Sequence, residues 1–87
     1  MTVDPIFDRV RALVVRLAGP DRTPTSITPE TPLGEGGFHL DSVELLDVML
    51  ACEDEMRIAF DGDPAANVRA LESLKTLTSA VRERTRQ

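Results

Sequence analysis

Residues 40–56 read Leu40-Asp41-Ser42-Val43-Glu44-Leu45-Leu46-Asp47-Val48-Met49-Leu50-Ala51-Cys52-Glu53-Asp54-Glu55-Met56, and this run decides the fold. Leu45, Val48, Met49, Cys52 and Met56 recur at i, i+3, i+4, i+7 and i+11, the stripe by which a helix buries one face. The spacing predicts a helix from about Asp41 to Met56. Glu44, Asp47, Asp54 and Glu55 take much of the remaining circumference, while Val43, Leu46 and Leu50 fall off the stripe. Some apolar surface is therefore expected outside, beside the acids, either as a docking surface or as contacts to a loop or to a third helix. Asp41 and Ser42 stand where the helix begins. Both are ordinary capping residues, and spacing alone favours that role. The same place also suits a phosphate, because the first N–H groups lack partners and the helix dipole is positive there.

Outward from this run, the chain punctuates itself clearly. Asp4-Pro5 opens a first helix over residues 5–18, with Ile6, Val10, Leu13, Val14 and Leu17 at helical spacing, and Gly19-Pro20 stops it. Residues 19–40 hold Pro20, Pro24, Pro29 and Pro32, then Gly34, Gly36 and Gly37, a density of breakers that no helix survives. A loop this long in a small domain usually has a task. Ile27, Leu33, Phe38 and Leu40 are spaced along it as anchors to the core. After Ile58 and Phe60, Asp63-Pro64 starts a short helix from Ala65 to about Arg69. Ser73 caps a last one with Leu74, Leu77 and Val81 turned inward, and Arg82, Arg84 and Arg86 suit its negative end. The expected fold is all-α: a single-domain four-helix bundle of three principal helices and a short third, with the long loop between helices one and two.

Composition narrows the function. With 87 residues, little interior is left for a cleft and a catalytic apparatus. Cys52 is the single cysteine, so no internal disulfide forms; on the buried stripe it reads as a small hydrophobe. The first residues carry charge rather than a signal-like apolar run, and no stretch reaches the roughly 18–20 apolar residues of a membrane span. The expectation is a cytoplasmic monomer. Neither a metal-spaced His/Cys/Asp set nor a Ser–His–acid set stands out, and His39 reads as an exposed loop histidine without a role. The net charge is −5, and its distribution matters more. From Glu35 to Asp63 nine acids face Arg57 alone, so that stretch carries −8 and the remainder is net positive. An acidic middle repels phosphate backbones, which argues against nucleic acid, and attracts basic protein surfaces.

Taken together, Leu40 to Met56 resembles the acyl carrier protein signature. In that family an Asp-Ser-Leu-like triplet opens helix two, acids and aliphatics follow, and a Glu-Glu-Glu-Phe-like run ends it; here Glu53-Asp54-Glu55-Met56 stands at that end. Ile58 and Phe60 match the family's next apolar pair, and the flanking helices agree across nearly the whole chain. The resemblance implies that a phosphopantetheinyl transferase moves 4′-phosphopantetheine from coenzyme A onto Ser42. The arm then carries acyl groups as thioesters between a loading ligase or acyltransferase and condensing or other biosynthetic enzymes, and the chain itself performs no catalysis. It also implies docking through helix two, by Asp41, Val43, Glu44, Asp47, Leu50, Glu53 and Asp54. Departures are Val43 in place of the commoner leucine, the Gly36-Gly37-Phe38-His39-Leu40 approach, Cys52 in place of leucine, and the stretch from Asp61 to Leu71. They point to a specialised carrier of polyketide or lipopeptide assembly rather than the primary fatty-acid carrier. Peptidyl carriers have a Gly-Gly-His-Ser-like motif, whereas His39 lies three residues before Ser42. An aminoacyl, peptidyl or D-alanyl carrier is the close alternative, an unmodified helical interaction module the distant one, and a small hydrolase using Ser42 the last.

Overall fold

A computed structural model describes residues 4–60 and 62–85. Four helices make up the bundle: α1 (Pro5–Ala18), α2 (Ser42–Met56), α3 (Pro64–Ala70) and α4 (Leu74–Thr85). Among the described residues there is no strand, only one isolated bridge between Pro32 and Ser73. α1 packs on α4 and α2, and α2 also touches α4, so Val10, Leu13, Val14, Val48, Cys52, Leu74, Leu77 and Val81 meet in one core. The short α3 packs on α4 and makes no close backbone approach to α2. No described helix is long and apolar enough to cross a membrane.

The caps follow from the residues that the sequence places at each boundary. Asp4 Oδ1 accepts from the N–H groups of Ile6 and Phe7 at 3.1 and 3.2 Å. Asp63 Oδ1 accepts from Ala65 N–H at 3.0 Å. Ser73 and Thr76 cap α4 reciprocally: Thr76 N–H donates to Ser73 Oγ at 3.2 Å, and Ser73 N–H to Thr76 Oγ1 at 2.9 Å. Each satisfies donors that would otherwise be orphaned at a helix start.

The α1 stripe differs from expectation at its end. Leu17 is exposed, and Ala18 is buried in its stead. The chain folds back directly after this turn: Arg22 Nε donates to the Ala18 carbonyl at 3.1 Å and Thr23 Oγ1 to the Gly19 carbonyl at 2.8 Å. A small side chain takes the seat under that reversal. At the other end of the bundle, the basic residues of α4 do more than answer the helix dipole. Arg82 pairs with Asp4 across the bundle. Arg84 donates to the Ala59 and Ala80 carbonyls at 3.0 and 3.1 Å and lies 4.7 Å above the Phe60 ring. Arg86 and Asp61 lie outside the described residues.

The long loop is anchored as its apolar residues predict. Leu33 and Phe38 are fully buried, Leu40 is buried, and Ile27 packs half-buried against the core. Its backbone is tied to the start of α4 by Leu33 N–H to the Glu72 carbonyl (3.1 Å), Leu74 N–H to Thr31 (3.2 Å) and Lys75 N–H to Pro29 (2.7 Å). It then reverses on itself, with Phe38 N–H donating to the Pro32 carbonyl and Leu40 N–H to the Leu33 carbonyl, both at 3.1 Å. Gly37 lies flat against Pro32 in this reversal: a Cβ there would stand 1.9 Å from the Pro32 carbonyl oxygen. The reversal delivers the chain to Asp41 and the first turn of α2.

Candidate functional site

Ser42 is the first helical residue of α2 and is exposed. The capping role that spacing assigned jointly to Asp41 and Ser42 belongs to Asp41 alone. Asp41 Oδ1 accepts from Glu44 N–H at 2.8 Å, and Glu44 Oε1 accepts from Asp41 N–H at 3.1 Å, a complete capping box. Ser42 takes no part in it, and its hydroxyl makes no side-chain hydrogen bond among the described residues. The result is an uncommitted hydroxyl at a helix N-terminus whose geometry is held by its neighbours on either side.

The helical periodicity of α2 divides it into an inward face and three others. Val48 and Cys52 face the core and are fully buried. Leu45, Met49 and Met56, expected on that same buried stripe, are only half-buried, and Leu45 and Met49 border the space that α3 leaves open. Cys52 has its thiol pushed up to about 11 by burial first, and then by the nearby acids Glu55 and Glu53. It stays protonated at neutral pH and is no nucleophile.

A second face looks toward α1 and the long loop, and its acids are engaged. Glu44 pairs with Arg22, whose guanidinium, with the Asp41 N–H, holds the Glu44 carboxyl below its ordinary value. Glu55 pairs with Arg16 at 2.7 Å, and its carbonyl accepts from Arg9 at 3.2 Å. A third face points outward. Val43, Asp47, Leu50 and Asp54 lie at i, i+4, i+7 and i+11 and form one exposed stripe, with Val43 67% and Leu50 51% accessible. The aspartates make no ion pair among the described residues.

Of the seven expected docking residues, the structure thus gathers four on one surface and withdraws three. Asp41 is spent on the cap and Glu44 on the cap and Arg22. Glu53 Oε2 accepts the Phe60 N–H at 2.7 Å, fastening the segment that leaves α2. Each is bound because a backbone donor or a cation lies within reach of its carboxylate, which sequence spacing does not reveal.

The remaining face of α2 borders an open cleft. Because α3 stands away from α2, two hollows flank Ser42, and both are lined by Ser42, Val68 and Leu71. One, of about 440 Å³, extends under the loop to Pro32, Gly34 and Glu35. The other, of about 360 Å³, extends along Leu46 and Met49 to Pro64 and Asn67. Its walls are almost wholly apolar. Val68, Leu71 and Asn67 escaped the sequence reading; the one available signal was Val68, an aliphatic residue in a short helix with little else to bury. His39 is exposed, in a left-handed conformation at φ 57°, and makes no side-chain hydrogen bond among the described residues. No group of three His, Cys, Asp or Glu side chains that could hold a metal ion occurs among the described residues.

In class, the chain is a small four-helix bundle with an uncommitted serine at the start of an acidic helix and an apolar cleft beside it. No protein-family model matches the chain, and no curated protein matches it at a significant level.

Proposed function

We propose that this chain is an acyl carrier protein, modified on Ser42 with 4′-phosphopantetheine taken from coenzyme A. The single observation that carries the reading is the division of labour at the start of α2. Asp41 and Glu44 complete the cap, and Ser42 is left exposed and unbonded beside an apolar cleft. A serine kept only for capping would bond the backbone itself. The residues present fit the group. A phosphodiester on Ser42 meets the positive end of the α2 dipole and its free N–H groups. Leu46, Met49, Val68 and Leu71 offer apolar surface next to the attachment point. When bound, the arm supplies a terminal thiol that holds acyl groups as thioesters.

On this reading the chain performs no catalysis of its own and works in the cytoplasm. Its partners are a phosphopantetheinyl transferase, a loading ligase or acyltransferase, and condensing or later enzymes of polyketide, lipopeptide or fatty-acid assembly. They dock on the stripe of Val43, Asp47, Leu50 and Asp54, whose charge steers basic surfaces and whose aliphatic side chains give contact area. Tethering the cargo replaces its free diffusion with a high local concentration at each partner. Intact-mass analysis after incubation with coenzyme A and a phosphopantetheinyl transferase tests the reading. A gain of one phosphopantetheinyl group supports it, and an unchanged mass would leave an unmodified interaction module.

A further inference from the structure

Two capping residues stand side by side at the start of α2, and only one of them caps. With Ser42 as the cap, its Oγ would accept the Leu45 N–H and turn back over the helix end. With Asp41 as the cap the Ser42 hydroxyl stays free, and that is the arrangement observed. Glu44 decides between them. It lies three residues after Asp41 and returns a bond to the Asp41 N–H at 3.1 Å, whereas Leu45, three after Ser42, has nothing to return. A long carboxylate side chain gives up rotamer freedom to be held in this way, so its second contact matters. That contact is Arg22, from the loop after α1, which pairs with Glu44 Oε2. Arg22 is itself aimed, because its Nε donates to the Ala18 carbonyl at 3.1 Å. An unbroken chain of contacts therefore runs from the end of α1 through Arg22 and Glu44 to the Asp41 amide. Among the described residues no other cation pairs with the first two turns of α2.

Resting on the carrier reading, we propose that Arg22 is a positioning residue for the loading of Ser42: it holds Glu44 to the cap of Asp41 and so keeps the serine hydroxyl available. Loading joins Ser42 Oγ to the pantetheine-bearing phosphorus of coenzyme A. The pyrophosphate bond breaks, adenosine 3′,5′-bisphosphate leaves, and the hydroxyl proton passes to the transferase. A hydroxyl drawn into a cap is turned away from that phosphorus, so the fraction of chains with Ser42 free scales the turnover. Docking is a separate matter, since the stripe of Val43, Asp47, Leu50 and Asp54 includes neither Glu44 nor Arg22. Arg22 therefore acts on kcat and leaves the KM for the chain unchanged. An exposed ion pair biases its equilibrium by up to about fivefold, which sets the ceiling on the slowing.

The test compares Arg22→Ala with Arg16→Ala in steady-state loading by a broad-specificity phosphopantetheinyl transferase with coenzyme A. Both variants delete an arginine paired with a glutamate of α2, but Arg16 meets Glu55, at the opposite end of the helix from Ser42. The two therefore match in the charge removed and in the helix released. Arg22→Ala should lower kcat by up to about fivefold with KM held, and Arg16→Ala should match the wild type. The amide resonances of Asp41 and Glu44 should move in Arg22→Ala alone. Because Arg22 acts through Glu44, deleting it from Glu44→Ala should slow loading no further. Equal turnover in the wild type and Arg22→Ala, equal slowing in both arginine variants, or further slowing in the double variant would overturn the inference and leave the carrier reading intact. A wild-type chain that accepts no phosphopantetheine would instead remove the carrier reading, and this inference with it.

Discussion

Replacing Gly37 by alanine should damage the fold far more than the same change at Gly34, three residues earlier. The added Cβ at Gly37 would lie 1.9 Å from the Pro32 carbonyl oxygen, 2.8 Å from its carbon and 3.0 Å from the Pro32 nitrogen. Ordinary carbon–oxygen approaches are about 3.3–3.6 Å, so the two limbs of the loop reversal must separate by more than an ångström. That movement breaks the 3.1 Å bond from Phe38 N–H to the Pro32 carbonyl and disturbs Leu33 and Phe38, both fully buried. One lost hydrogen bond at about 1 kcal/mol plus core repacking at about 1–3 kcal/mol gives a total near 2–4 kcal/mol. For a domain of this size that lowers the melting temperature by roughly 10–30 °C. At Gly34 the added Cβ meets only the Leu40 carbonyl at 3.8 Å, an ordinary contact. Gly34→Ala should therefore stay within about 0.5 kcal/mol of the wild type. Urea titration followed by circular dichroism reads both variants, with a lower midpoint and an unchanged slope expected for Gly37→Ala. A Gly37→Ala protein as stable as Gly34→Ala would refute the packing described for the loop.

Thr78 is almost fully buried with an unbonded hydroxyl, so Thr78→Val should raise stability by about 1 kcal/mol in the same titration. The Cys52 thiol lies above its ordinary value of 9.0, at about 11, so the native chain holds this proton where the unfolded chain releases it. Unfolding is then favoured as pH rises from about 9 to 11. Stability measured across that window should fall, and a thiol reagent at pH 8 should label Cys52 only in urea. Asp47→Lys with Asp54→Lys should slow phosphopantetheine loading at low salt without altering the melt, and added salt should slow the wild type too. Glu44→Lys should cost about 1 kcal/mol as well, since it removes half of the capping box.

Much of the architecture was legible because local chemistry and tertiary structure agree. Asp4-Pro5, Gly19-Pro20, Asp63-Pro64 and Ser73 set boundaries within a residue or so of those observed, and the buried positions of α4 fell at the spacing expected of them. What periodicity misses is contact between elements distant in sequence. It placed Leu17 inward, but the reversal at Arg22 and Thr23 gives that seat to Ala18. It treated Leu45 and Met49 as core, but a short α3 leaning on α4 leaves them at the edge of a cleft. Charge counting grouped all acids of α2 together; Arg22, Arg16 and the Phe60 N–H then divide them into engaged and free. Ser42 was visible as a candidate from its place at the helix start, yet its separation from the cap depends on the rotamers of Asp41 and Glu44.

Peptide mapping of the chain after incubation with coenzyme A and a broad-specificity phosphopantetheinyl transferase tests the central claim. Trypsin releases the segment from Thr23 to Arg57 intact, because no lysine or arginine lies between them. That segment contains Ser42 together with Thr23, Thr25, Ser26, Thr28 and Thr31, so fragmentation must separate one hydroxyl from the others. A single phosphopantetheinyl group on Ser42, absent from Ser42→Ala, is the predicted result. An unlabelled wild-type segment, or a label on another hydroxyl that persists in Ser42→Ala, would contradict it.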